Sequence, residues 1–177
     1  MRRTPISLLA FACAASALLP QSLPSDVPDE LKPPADAHLV LQAHAKGVQI
    51  YGCQVGSDQK LAWILKGPEA ELFNEKGESI GKHSAGPAWE LSDGSGVTGK
   101  VVAKKDAPGG TAIPWLLLSV TGRSGSGGLS GVSAIQRLHT VGGLPPDSKS
   151  CDEPRRGQET RSSYSADYYF YAATPQH

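Results

Sequence analysis

The sequence predicts an all-β domain, an antiparallel β-sandwich or barrel of about eight to ten short strands. Three observations predict it. Short runs rich in β-branched and aromatic residues recur along the chain. Each run is fenced by Gly, Pro, Asp or Ser, the residues that turns require. Gly or Pro also interrupts nearly every stretch of about 12 residues that an amphipathic helix would need.

The order of elements begins with a leader. Arg2 and Arg3 precede an apolar run from residue 6 to 19, and Ala15-Ser16-Ala17 forms an A-x-A cleavage site, so residues 1–17 read as a signal peptide. The apolar run is short of the ~20 residues a membrane span needs. Arg2-Arg3 also raises twin-arginine export and Cys13 a lipid-modified cysteine, but neither has convincing flanking residues. Residues 18–37 carry five prolines without a hydrophobic period and read as an extended lead-in. A single β domain is expected over residues 38–174.

Within that domain, strands are expected at 38–42, 48–55, 61–65, 87–91, 97–103, 113–120, 132–139 and 164–173. Lys46-Gly47, Gly56-Ser57-Asp58 and Gly67-Pro68 read as breaks, and Glu75-Lys76-Gly77-Glu78 as a tight turn. His38 and His44 sit near a turn entrance on this reading. Residues 122–128 and 142–163 read as loops, the second long enough to suggest a mobile or functional role. Tyr164, Tyr168, Tyr169, Phe170 and Tyr171 place aromatics on both faces of the last strand, so one face is exposed or covered by the long loop.

Composition excludes partners more than it names them. The chain has 17 Lys and Arg against 17 Asp and Glu with no basic run, which argues against nucleic acid. Removing Arg2 and Arg3 with the leader leaves 15 basic residues against 17 acidic ones, close to neutral. Of three cysteines, Cys13 leaves too, and Cys53 and Cys151 remain as an even pair in an oxidising compartment. A disulfide between them is expected, tying the long loop to a strand.

The tempting motifs fail on context. Gly94-Ser95-Gly96-Val97-Thr98-Gly99 fits a dinucleotide fingerprint, but Lys100-Val101-Val102-Ala103 is β-prone where a helix should open. Extended to Lys100, the window meets a phosphate-binding loop until Val101 replaces the required hydroxyl. It reads instead as a turn with glycine at positive φ. Gly128-Leu129-Ser130-Gly131 is followed by Val132, so no nucleophile elbow forms. The five histidines show no zinc-type spacing. No nucleotide, cofactor or metal is expected.

The densest polar and aromatic stretch, residues 81–95, supplies the candidate ligand-binding residues His83, Trp89, Glu90 and Asp93. Glu90 and Asp93 have the residue types of an acid–base pair for glycosidic cleavage. Alternation favours a plainer view, with Trp89 on one face, Glu90 on the other and Asp93 in the turn. Arg137 lies among apolar neighbours, where a charge needs a partner, and Glu90 or Asp93 is the expected one. Trp63, Trp89, Trp115 and the C-terminal tyrosines suit a sugar-stacking platform, although buried Trp in a small β domain is mostly core.

Taken in order, Gly47-Val48-Gln49-Ile50-Tyr51-Gly52-Cys53, the stretch Gly81-Lys82-His83-Ser84-Ala85-Gly86-Pro87-Ala88-Trp89-Glu90 with Asp93-Gly94-Ser95, Ile113-Pro114-Trp115, Ile135-Gln136-Arg137-Leu138-His139, Cys151, and the segment from Tyr164 to Tyr171 form a distinctive set. The set resembles the secreted family called domain of unknown function 3455, over roughly residues 28 to 173. The resemblance implies export in bacteria and fungi and brings no established activity or catalytic residues. Some fungal relatives carry a malate dehydrogenase label, which the failed fingerprint does not support.

The expected function is a non-catalytic binding module, periplasmic or extracellular, that takes a glycan, lipid or other envelope ligand. No nucleic acid, nucleotide or membrane span after signal removal is expected. An exported hydrolase acting on glycans or esters is the alternative, and a structural surface protein without a small ligand is the third. Two converging polar groups in a concave pocket would favour the hydrolase, and an aromatic shelf or closed cavity the binding module.

Overall fold

The computed structural model describes residues 26–174, so the leader and its cleavage site lie outside the described residues. Eight strands follow one another: β1 (Ala37–Val55), β2 (Leu61–Phe73), β3 (Ser79–Ser84), β4 (Ala88–Leu91), β5 (Gly96–Lys105), β6 (Trp115–Ser124), β7 (Val132–Gly142) and β8 (Glu159–Ala173). Each pairs antiparallel with the next, and β8 returns to pair with β1, closing a barrel. Of the two expected architectures, the sandwich is thereby set aside. Among the described residues no helix is long and apolar enough to cross a membrane.

Several expected breaks are continuous strand. β1 runs straight through Lys46-Gly47, and His44 lies inside it rather than at a turn entrance. Gly47 is there for close approach: a Cβ at this position would come 2.1 Å from the Glu69 carbonyl oxygen on β2. β2 passes through Gly67-Pro68 with a bulge, because Ile50 faces Gly67 while Tyr51 faces Leu65. Pro68, opposite Gln49 of β1, sits beside this bulge and just beyond the end of the β2–β3 pairing at Glu69 and Ser84, the kind of position where a strand tolerates proline. β3 occupies a stretch where no strand was expected. The expected loops shrink too, since β6 extends to Ser124 and β8 starts at Glu159.

The turns use the expected chemistry. Asn74 Oδ1 accepts from the backbone N–H groups of Lys76 and Glu78, both at 3.0 Å, and closes the β2–β3 hairpin. Between β4 and β5, Gly94 takes φ +85°, and Asp93 Oδ1 accepts from the Ser95 N–H at 2.8 Å and the Ser95 hydroxyl at 2.6 Å.

Two apolar clusters hold the molecule. Ala43, Leu72, Trp89, Leu118, Ile135, Tyr168 and Phe170 belong to the first, inside the barrel. Leu31, Ala107, Trp115, Leu138, Tyr169 and Tyr171 belong to the second, on the outer face of β7 and β8. The double-sided aromatic pattern of β8 is thus covered, but by the lead-in and the segment before β6 rather than by the long loop. The lead-in makes one turn of 3-10 helix at Asp29–Leu31, whose Leu31 is fully buried. Its carbonyl accepts from the Gln136 side-chain amide, while Gln136 Oε1 accepts from the Tyr171 hydroxyl at 2.6 Å.

The long loop is pinned elsewhere. A Cys53–Cys151 disulfide fastens it to β1. The Gly157 N–H donates to the Cys53 carbonyl at 2.8 Å, Trp63 Nε1 donates to Ser150 Oγ at 2.9 Å, and the Tyr51 hydroxyl donates to the Gly143 carbonyl at 2.7 Å.

Candidate functional site

Opposite residues in an antiparallel pair share a face, so the register alone assembles an inward row. Tyr164 of β8 faces Gly47, Gly47 faces Ala70, Ala70 faces His83, and His83 faces Trp89. His83 and Trp89 stack, with ring centroids 4.5 Å apart and planes 10° from parallel. Tyr168 meets both rings edge-on, at 5.0 Å from His83 and 5.5 Å from Trp89. Such packing leaves His83 2% exposed.

His83 is neutral in this setting. Burial pushes its pKa down to about 4, against a hydrogen bond from Nδ1 to the Ala88 carbonyl at 2.8 Å; the Arg137 charge adds to the depression. With Nδ1–H donating, Nε2 carries the lone pair.

Arg137 of β7 faces the same interior but does not find the expected carboxylate. Its Nε and Nη2 donate to the Pro114 carbonyl at 3.1 and 2.8 Å, and no ion pair formed among the described residues includes it. Burial raises the pKa values of Tyr51, Tyr164 and Tyr168, and in each the Arg137 charge opposes the rise. Those four groups with His83 therefore form one electrostatic neighbourhood.

The other two candidates lie elsewhere. Glu90 is exposed on the outer wall, opposite Lys82 of β3, beside an open hollow of about 260 Å³ that Trp89, Thr98 and Arg123 also line. Asp93 stays in its turn, where Oδ2 accepts from the Gly128 N–H at 2.8 Å and so joins the β4–β5 hairpin to the β6–β7 connection. These hydrogen bonds hold its carboxyl below the usual range. His83, Trp89 and Arg137 are brought together; Glu90 and Asp93 do not join them. A second open hollow, about 500 Å³, borders His83, Gly47 and Ala70 together with Lys46, Glu71 and Lys82.

Sequence reasoning passed over two members of the interior group, Gln49 and Tyr51. Gln49 is 2% exposed. A polar side chain at the inward step after Ala43, Ala45 and Gly47 was the available signal. It also missed a clasp on the outer face, where Asp167 accepts from Nδ1 of His44 at 2.8 Å and of His139 at 2.9 Å. Among the described residues, no three His, Cys, Asp or Glu side chains are placed to hold a metal ion.

A family model described as "Protein of unknown function (DUF3455)" matches residues 34–172. No match was found among curated proteins or solved structures.

Proposed function

Since the chain belongs to the DUF3455 family, whose description names no activity, we propose from its geometry that it is a non-catalytic ligand-binding module that works outside the cytoplasm. One observation carries the reading. Inside the closed barrel, enclosed side chains with unused hydrogen-bonding capacity gather around Arg137 and the His83–Trp89 stack. An eight-stranded barrel has an interior that side chains fill or that holds one small ligand. Buried polar groups are ordinarily paired, so a cluster of unpaired ones marks a place for a partner.

Export is supported by the leader-like residues 1–17 and by the Cys53–Cys151 disulfide, which an oxidising compartment preserves. The outer wall carries cross-strand ion pairs, Lys66 with Glu159 at 2.6 Å and Arg161 with Glu69, which suit water better than lipid.

A thermal-shift screen of the oxidised chain against glycans, lipids, divalent metals and nucleotides tests the proposal. A ligand at about 100 times its Kd adds ~2.7 kcal/mol, roughly 5 to 10 °C in midpoint for this size. The shift should vanish in Arg137→Gln and persist in Glu90→Gln. A shift that depends on Glu90 and ignores Arg137 would move the site to the outer wall.

A further inference from the structure

The interior group has a chemical bias that narrows its ligand. Six buried side-chain polar atoms lack a hydrogen-bond partner among the described residues, and four lie on strands that line this interior: Gln49 Nε2, Trp89 Nε1, and the hydroxyls of Tyr164 and Tyr168. Two are N–H donors that cannot accept, and two are hydroxyls free to donate. Gln49 and Tyr164 are neighbours, since a Cβ on Gly143 would touch both, at 3.3 Å from Gln49 Cγ and 2.9 Å from Tyr164 Cβ. Tyr168 lies opposite Arg137 in the β7–β8 register and within interaction range of both Arg137 and Tyr164, yet none of these contacts meets full hydrogen-bond geometry.

The cation in this group is incompletely used. Arg137 spends Nε and Nη2 on one carbonyl and has the Tyr168 hydroxyl beside it, with no carboxylate paired to it among the described residues. A guanidinium among surplus donors is the complement of an anion, and its planar edge matches a carboxylate. The surrounding walls are aromatic: the His83–Trp89 stack, Tyr168 and Phe170, with Phe170 fully buried. Such walls disfavour a strongly hydrated dianion and favour a flat apolar body behind a single charge.

We propose that the barrel interior binds a small organic carboxylate, with the charge held by Arg137, Tyr164 and Tyr168 and the apolar body against the His83–Trp89 stack. This rests on the interior-site reading above and adds the ligand class.

The folded, oxidised chain is titrated with benzoate, with benzamide as its neutral analogue, and with inorganic phosphate. The wild type is compared with Tyr168→Phe and Arg137→Gln. Benzoate should bind and benzamide bind at least about tenfold more weakly, as loss of a charge-assisted hydrogen bond predicts. Tyr168→Phe removes a hydroxyl that makes no hydrogen bond of full geometry, so it should leave the unliganded melting temperature nearly unchanged while weakening benzoate about tenfold. That variant keeps the test open even if Arg137→Gln fails to fold. Equal binding of benzamide and benzoate, both weakened by Tyr168→Phe, would retain the interior site and overturn the anionic class. Phosphate binding that depends on Arg137, without benzoate binding, would replace the carboxylate by an inorganic oxyanion. No binding of any of the three, or benzoate binding untouched by both variants, overturns the proposal.

Discussion

Lowering the pH from 7.5 to 4.5 should destabilise the wild type more than a His83→Asn variant. The unfolded chain takes up a proton on His83 near the ordinary 6.5, while the folded chain resists until about 4. Between those values the unfolded state binds more protons, so stability present above pH 6.5 is lost as the pH falls. Linkage with these two pKa values gives a loss of about 2.5 kcal/mol at pH 4.5 relative to pH 7.5. His83→Asn leaves an amide that can still donate to the Ala88 carbonyl but has nothing to titrate. Glu159, held low by its hydrogen bond to Lys66, and Asp93, held low by Gly128 and Ser95, lose their contributions in both proteins alike. Urea denaturation of both proteins across the pH series yields the difference in stability directly. That difference should shrink by about 2.5 kcal/mol over the interval; curves that stay parallel would refute the neutral, buried imidazole.

Reduction of Cys53–Cys151, which closes a separation of 98 residues, should cost up to about 4.7 kcal/mol by loop entropy. Denaturation with and without reductant measures it, and with residues 1–17 removed, free thiols titrating before reduction would contradict the bridge. Leu31→Ala should cost roughly 2 to 5 kcal/mol, as deletion of a fully buried leucine does. A loss below about 1 kcal/mol in urea would mean that the lead-in does not cover the outer face of β7 and β8 as described.

The fold class was legible because turn residues at regular spacing leave a sheet few alternatives, whereas strand continuity was not. Gly47 and Gly67-Pro68 look like punctuation, yet the first glycine serves close strand approach and the second pair sits in a bulge. Local sequence does not distinguish these uses, because the deciding atoms belong to the neighbouring strand. β3 was hidden by its Gly81 and Lys82, which carry little strand preference and rely on β2 and β4 for pairing. Leu31 offered no period among the prolines, so its burial depends on a surface that exists only after the barrel forms.

At the site, alternation correctly separated Trp89 from Glu90 and left Asp93 in its turn. The need of Arg137 for a partner was also visible, but not its partial engagement by the Pro114 carbonyl, since a backbone acceptor leaves no mark in side-chain pattern. Gln49 and Tyr51 went unremarked because each is ordinary alone and becomes informative only beside Arg137 and Tyr164.

The closure of β8 on β1 makes the ends of the barrel neighbours. Ala37 pairs with Ala173, and the Thr174 N–H donates to the Asp36 carbonyl at 2.9 Å. Topologically the strand ring has no first member. A short linker joining residues 36 and 174, with the chain reopened at the exposed Asn74–Glu78 turn, would leave every strand pairing available. Such a circular permutant would forgo the packing of the lead-in that enters at Asp36, and so would isolate what the barrel alone contributes from what the strap laid across its outer face adds.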